Sequence, residues 1–316
     1  MVDAASNDMA AALAEVLMAD VVTDVVRLSG GASRDTFRFV ADGRPLILQR
    51  QRSGDVRDMG IEASVVRAVG VAGAPVAQLV ASSTDASALG SAYMVMTAVE
   101  GETIARKILR DDQYAHAREV LPAQLGAALA QVHAVATDRL TALPMLDQVN
   151  QYREVLEELG QPHPTFELVF KWLEVNRPPS RPPVLVHGDF RLGNIIVGQE
   201  GLRAVLDWEL AHLGDPMEDL GWLCVKAWRF GSRLPVAGVG EYDQLFAAYE
   251  AAGGEAIDPD VVRWWEVLGT LKWGIMCIGQ ANTHLVGASR SHELAAIGRR
   301  VCENEYDLFL ALEGRW

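Results

Sequence analysis

The chain has 316 residues, of which 50% are hydrophobic and 22% charged, and it carries a formal net charge of −14. This length accommodates two packed domains or one domain with a deep cleft, and the acidity argues against a nucleic-acid partner because like charges repel. No run approaches the ~18 apolar residues of a membrane helix, and the N-terminal residues lack a signal-peptide pattern, so we expect a cytoplasmic protein with no membrane partner.

The first hundred residues predict one helix followed by a small antiparallel sheet. Residues 4–18 are rich in Ala, Leu and Met, which favours a helix. Short β-prone runs follow, separated by the turn-forming segments SGGAS and ADGRP, and a second helix is expected at residues 58–71. The strand candidates are residues 25–28, 36–40, 46–50, 76–81 and 92–98.

Beyond residue 100 the pattern becomes mostly helical, and a long last helix is expected over residues 291–312. We therefore predict an α+β fold with a β-rich lobe at 1–99, a helical lobe at 100–316 and a ligand site between them. Within the helical lobe, brief strands are predicted at three apolar runs, 184–186, 195–197 and 204–206.

One motif in the second lobe points to chemistry. The segment LVHGDFRLGN places Asp189 directly after an apolar run and five residues before Asn194, and a further apolar run ends at Asp207. A short β-hairpin over 194–206 would bring these three side chains into one cleft. Taken singly, each is more often a turn or cap residue. Their order and spacing together indicate a catalytic site.

These three side chains are the groups that phosphoryl transfer requires. Its transition state is loose, so the protein mainly positions groups and neutralises charge. Asp189 is suited to face the attacking hydroxyl and accept its proton. Asp207 and Asn194 offer the carboxylate and amide oxygens that Mg²⁺, a hard cation, prefers. The three side chains thus fit phosphoryl transfer, with magnesium held by Asn194 and Asp207.

The pattern HGDxxxxN followed by LDWE resembles the aminoglycoside phosphotransferase/choline kinase family, which has a protein-kinase-like fold of two lobes. The resemblance runs from about Val25 to the C-terminal helices. The segment LDWELAHLGDP is most similar to the branch also found fused to acyl-CoA dehydrogenases. It implies an ATP- and Mg²⁺-dependent kinase for a small hydroxylated metabolite, a hydroxyacyl-CoA in preference to an aminoglycoside.

The resemblance also implies roles for residues around the predicted base. His187 would support the catalytic loop through hydrogen bonds without carrying the proton, and Arg191 belongs to the same catalytic segment. Asp219 would brace that loop from the start of a helix, and Asp215 would be structural.

Two segments of the first lobe are expected to bind the nucleotide. The segment YMVMTAVEG resembles the family's hinge, where backbone groups near Thr97 and Val99 would bond the adenine edge. The other segment resembles the Gly-rich phosphate loop, because glycines let backbone N–H groups approach a phosphate closely; a simple hairpin turn is the alternative. The phosphate contacts are expected from Ser29, Gly30, Gly31 and Ser33.

The family also places a cation on the third strand, paired with a Glu of the following helix. Here Gln49 occupies the strand position and Arg50 follows it. Adjacent strand residues face opposite sides, so Arg50 would serve only through a bulge or register shift. Glu62 is the expected helix partner, a solvated helix carboxylate being the alternative.

The substrate end is less defined by sequence. All eight tryptophans lie beyond residue 171, which favours core packing over an aromatic-lined pocket. The net negative charge has two alternative explanations: it keeps the protein soluble, or it reflects an acidic pocket that binds a cationic substrate.

Two function classes stay open. An active kinase is favoured by the presence of Asp189, Asn194 and Asp207, whereas a non-catalytic, pseudokinase-type nucleotide- or metabolite-binding protein is supported only by Gln49. HGD in place of HRD, and the lack of an APE-like segment, argue against a protein kinase. The sequence does not determine the identity of the phosphate acceptor, the preference for ATP or GTP, or whether the protein forms a homodimer.

Overall fold

The structure, a computed structural model, describes residues 4–28, 34–52 and 57–315. Its first part contains the predicted helix, sheet and second helix, and the first strand begins three residues earlier than expected. The elements of this part are α1 (Ala4–Leu17), β1 (Val22–Arg27), β2 (Arg34–Ala41), β3 (Arg44–Gln51), α2 (Met59–Val71), β4 (Leu79–Ser83) and β5 (Tyr93–Thr97).

The five strands form one antiparallel sheet in the order β1-β2-β3-β5-β4. The β2–β3 hairpin turns at Asp42 and Gly43, which both have positive φ, as a two-residue hairpin turn requires. Side chains alternate between the two faces. On one face Phe39 and Leu48 pack with Leu13 of α1, so the opposite face is directed toward α2 and the cleft.

The remainder of the chain is mainly helical. The long terminal helix expected over 291–312 is instead two helices separated by a 3-10 turn, Gly298–Arg300. Gly298 packs so close to α9 that a Cβ there would lie 2.6 Å from Ala281 Cβ, so this turn requires glycine. The helices are α3 (Ala105–Arg110), α4 (Ala115–His133), α5 (Gln148–Leu159), α6 (Pro164–Val175), α7 (Met217–Cys224), α8 (Tyr242–Ala251), α9 (Pro259–Leu285), α10 (His292–Ile297) and α11 (Val301–Leu312).

The helical part also contains four short strands, and one pair of them is bonded to segments that flank the sheet. Glu102, just after β5, exchanges two backbone hydrogen bonds with Val197 (2.9 and 3.0 Å), and Val205 N donates to Pro75 O at 2.7 Å. These bonds fix the segment before Asp207 against the first part of the chain. The strands are β6 (Val184–Val186), β7 (Ile195–Gly198), β8 (Gly201–Val205) and β9 (His212–Gly214).

In the described part of the chain, no helix is both long and apolar enough to cross a membrane.

Candidate active site

The catalytic loop begins with a tight turn that α7 holds in place. Gly188 has φ +80°, and a Cβ there would lie 2.5 Å from Leu210 O, so the position suits glycine alone. The fully buried Asp219 carboxylate accepts hydrogen bonds from His187 N (2.8 Å) and Gly188 N (3.0 Å). Asp219 therefore braces the loop, as the resemblance implied. Asp215 accepts from Met217 N at 2.8 Å and supports the start of α7.

His187 connects the two motif segments. Its Nδ1 accepts a hydrogen bond from Asp189 N (3.1 Å), so Nε2 carries the proton and donates to Leu206 O (2.9 Å), next to Asp207. The ring is fully buried and lies 4.5 Å from Trp208 between centroids. Burial lowers the pKa of His187, which keeps the ring neutral. This geometry fits positioning of the loop better than proton transfer.

The carboxylate of Asp189 is held by three side chains. Trp222 Nε1 donates to Oδ1 at 2.8 Å, Asn194 Nδ2 donates to Oδ2 at 2.6 Å, and Arg191 Nε lies 3.0 Å from Oδ1. The Arg191 guanidinium also lies 5.0 Å from the centre of the Trp228 ring. Asp189 therefore has a fixed orientation while its side chain keeps 16% of its surface exposed.

Asn194 and Asp207 are joined through the backbone. Leu206 N donates to Asn194 O at 2.8 Å, and the Asn194 amide nitrogen is already used by the backbone oxygen of Asp189 (3.0 Å) and by its carboxylate. The amide oxygen of Asn194 is thus the side-chain atom left for a ligand. Asp207 follows in a left-handed conformation, φ +65°.

Asp207 lies among other carboxylates. Its side chain is open to the cleft, but the surrounding protein removes part of its hydration and, with the negative charges of Glu209, Asp189 and Glu62, raises the pKa of Asp207 to about 6. Arg34 opposes that rise. A divalent cation would relieve this excess of negative charge, and the donors are the oxygens that Mg²⁺ prefers. The residues therefore fit magnesium, although the described chain contains no preformed group of three His, Cys, Asp or Glu ligands.

The cation beside Glu62 is Arg34, a residue of β2 that the sequence did not single out. Arg34 Nη1 donates to Glu62 Oε1 at 2.6 Å, and its Nη2 lies 3.6 Å from Glu209. Arg50 could replace the third-strand cation only through a bulge or register shift, and the β2–β3 register has neither. Arg50 Nη1 donates to Leu89 O at 2.9 Å, because this residue lies on the α1 face of the sheet.

The remaining nucleotide residues are placed as follows. Thr97 N donates to Gln78 O (2.9 Å), so this N–H is not available to an adenine. Within the described residues, no hydrogen bond involves the backbone of Val99, which follows β5 at the sheet edge. Ser29, Gly30, Gly31 and Ser33 lie outside the described residues.

Sequence reasoning missed the roles of three residues at the site, which are Arg34, Trp222 and Glu209. Trp222 is buried, in line with the expected core packing, and its Nε1 also reaches Asp189; it lies three residues after Asp219, one helical turn along α7. Glu209 pairs with Arg34 and with Arg57 (2.5 Å). Of the three, only Trp222 had a local signal, its helical spacing from Asp219.

Comparison with known proteins agrees with this geometry. Residues 24–265 match the model of the phosphotransferase enzyme family (APH). The chain is 27% identical over 323 residues to acyl-CoA dehydrogenase family member 11 of Gallus gallus, covering 90% of this chain and 40% of that protein. It is 28% identical over 228 residues to acyl-CoA dehydrogenase family member 10 of Mus musculus, covering 67% and 21%. The chain thus spans well under half the length of these relatives.

Solved structures share the architecture. A Ralstonia eutropha JMP134 protein inferred to be an aminoglycoside phosphotransferase matches with a TM-score of 0.75 at 20% identity, over 98% of each chain. Spectinomycin phosphotransferase APH(9)-Ia, solved with ADP and spectinomycin, matches with a TM-score of 0.67 at 14% identity, over 96% of this chain and 98% of that one. At such identities these structures show the fold, which is protein-kinase-like. The chain, matched over more than half of its length, belongs to the phosphotransferase enzyme family (APH).

Proposed function

We propose that the chain is a kinase that transfers a phosphoryl group from ATP to a hydroxyl of a small metabolite. The hydroxyl oxygen bonds to the γ-phosphorus, the bond from that phosphorus to the bridging oxygen breaks, ADP leaves, and the hydroxyl proton passes to Asp189. The observation that carries the proposal is the Asp189 carboxylate, oriented by three donors and joined through His187 to the segment of Asp207.

Asp207 and the amide oxygen of Asn194 would hold the magnesium ion. Bound there, the ion would neutralise charge on the ATP phosphates. Asn194 has a second task in this arrangement, because its amide nitrogen donates to Asp189. Asn194 therefore contacts the proposed base through its side chain and the segment of Asp207 through its backbone oxygen.

The pseudokinase alternative rested on Gln49 alone. The Arg34–Glu62 pair places a cation beside Asp207 from another strand, so the absence of a cation at position 49 no longer argues against catalysis. No other observation favours a non-catalytic protein, and the kinase is the function we propose.

A basic cavity favours an anionic acceptor. The cavity has a volume of about 970 Å³ and lies between α3, the segment after α7 and α11. Asp307, Glu303 and Glu266, which pairs with Arg229, neutralise part of its charge, but Arg106 and Arg110 of α3 form no ion pair with another described residue. This local charge contrasts with the net charge of −14. Its cations are Arg106, Arg110, Lys226, Arg229, Arg233 and Arg300.

Tryptophans packed at tilted angles connect this cavity with the proposed base. Arg191, which contacts Asp189, lies over Trp228; Trp228 packs on Trp273 at 4.8 Å between centroids, and Arg300 lies 5.7 Å from the Trp273 ring. An acceptor with phosphates in the cavity and a hydroxyl near Asp189 fits this layout. Together with the acyl-CoA dehydrogenase relatives, it supports a hydroxyacyl-CoA over a cationic aminoglycoside.

The test is Asp189→Asn, assayed by ADP release with MgATP and a panel of hydroxyacyl-CoAs and aminoglycosides. We expect kcat to fall by about 10²–10⁴-fold, the usual contribution of a general base. The Kd for MgATP, measured by thermal shift, should stay within about threefold because Asn keeps the shape of the side chain. Turnover at the wild-type rate would refute the role of Asp189. Asp243→Asn, an exposed carboxylate on α8, is the control.

A further inference from the structure

Neither residue at the expected position of the third strand supplies a cation to the cleft. Gln49 is neutral. The Arg50 guanidinium lies 5.5 Å from the centre of the Phe37 ring on the α1 face and donates to Leu89 O. The β2–β3 register is uninterrupted from Arg34 to Ala41, so the alternation of side chains keeps Arg50 on that face.

Arg34 delivers a guanidinium to this point from the neighbouring strand. Thr36 is the cross-strand partner of Gln49, and Arg34 lies two residues before Thr36 on the same face of β2. Long side chains meet at this diagonal, and Arg34 Nη1 lies 3.3 Å from Gln49 Oε1. The guanidinium therefore stands where a longer, cationic side chain at position 49 would end.

The surroundings of Arg34 keep it charged and leave one donor free. Burial alone would lower the pKa of the guanidinium, but Glu62 and Glu209 outweigh it, and the pKa is raised. The residue is 6% exposed, and its buried Nε has no hydrogen-bond partner among the described residues. Buried donors are normally paired, so a free donor of a cation beside Asp207 indicates an anionic ligand oxygen.

We infer that Arg34 replaces the third-strand cation of the family: Glu62 orients the guanidinium, and Nε–H donates to a phosphate oxygen of the nucleotide. The inference rests on the proposed function and adds a phosphate-binding residue to it.

The test measures the Kd for MgATP by calorimetry on variants that move the charge. Arg34→Gln is expected to weaken binding about tenfold or more, because a charge-assisted hydrogen bond is lost. This variant leaves Glu62 buried without its cation, so Arg34→Gln/Glu62→Gln is measured as well. Adding Gln49→Lys to Arg34→Gln returns a cation to the same point from β3 and should recover most of the affinity.

Two further variants complete the test. Arg27→Gln, on β1 and 61% exposed, is the matched control and should bind as the wild type does. Arg50→Gln tests the rival arginine, and a loss of binding there would overturn the inference. So would a folded Arg34→Gln/Glu62→Gln protein that binds MgATP as tightly as the wild type. A wild-type chain that binds no nucleotide would overturn the proposed function as well as the role of Arg34. Failure of the Arg34 inference alone would leave wild-type nucleotide binding intact.

Discussion

Among single residues, Asp207 shows most clearly the stability cost of a binding site. Its left-handed backbone conformation is tolerated by Asp and Asn better than by most residues. Its carboxylate lies beside Glu209, Asp189 and Glu62, and its pKa is raised to about 6. Without a bound cation, the ionised form of Asp207 therefore opposes folding.

Asp207→Asn should stabilise the ligand-free protein at neutral pH. A carboxyl whose folded pKa exceeds its unfolded value of 3.8 costs stability above about pH 6, and the cost disappears below about pH 4. The full shift corresponds to about 3 kcal/mol, which solvent screening at this exposed side chain reduces to about 1 kcal/mol. Urea unfolding at pH 7.5 and pH 4 measures the difference.

The same variant should lose the Mg²⁺-dependent part of nucleotide binding. A thermal-shift titration of ATP with and without Mg²⁺ measures this, since a ligand stabilises the folded state by mass action. An unchanged magnesium requirement would refute the metal role of Asp207. Equal stability of wild type and variant at both pH values would refute the raised pKa.

Local spacing predicted some of these residues and not others. Asp189, Asn194 and Asp207 were predictable because a short hairpin brings them together. Arg34 was not, since its placement depends on cross-strand register and on contact with Glu62, 28 residues away. Such distant contacts leave no periodic signal in one sequence.

At the scale of elements, α7 organises the catalytic loop from its first turns. Asp219 accepts from two backbone N–H groups of the loop, and Trp222 orients Asp189. Burial raises the pKa of Asp219, but the hydrogen bond with His133 and the bonds from the loop outweigh it and lower the pKa below its usual value. The carboxylate is therefore charged when the loop is formed.

Asp219→Asn should destabilise the fold. The single amide oxygen of Asn cannot accept from all three partners, which are two backbone N–H groups and His133. The amide NH₂ group would then face an N–H group. We expect the free energy of unfolding to fall by about 2–4 kcal/mol, as for other buried charge networks with a lost partner. Urea denaturation measures it. A loss below about 0.5 kcal/mol, the range expected for Asp243→Asn on the surface, would contradict the bracing role.

Helices and strands were predictable where turn-forming residues or apolar runs in the nearby sequence mark them. The β2–β3 hairpin followed from Asp42 and Gly43, whose residue types favour positive φ. The break before α11 was not predictable, because Gly298 in a helical pattern has no distinct local meaning. The close approach of Ala281 on α9 requires the glycine at this turn.

For the whole molecule, charge is unevenly distributed. The net charge is −14, yet one cavity gathers six cations. A phosphate-bearing acceptor would be repelled by most of the surface and attracted at this cavity. Binding of such an acceptor should therefore weaken with ionic strength.

Arg106→Glu should raise the KM for a hydroxyacyl-CoA about three- to tenfold, because it reverses a charge in the cavity. Adding Arg110→Glu should increase the effect, while the KM for MgATP stays near the wild-type value. Lys171→Glu, an exposed cation on α6, makes the same change in net charge and is the control. Equal effects from Arg106→Glu and Lys171→Glu would show that only net charge matters and that the cavity does not bind the acceptor.

Arg34 has a consequence for chemical probing. Nucleotide analogues that acylate an amine near the phosphates depend on a nucleophilic lysine, and a guanidinium stays protonated and does not react in this way. Among the described residues, the side chains within hydrogen-bond or ion-pair distance of Arg34 are Gln49, Glu62 and Glu209. An enzyme with this arrangement would escape lysine-directed profiling even while it binds ATP, and Gln49→Lys would make it visible.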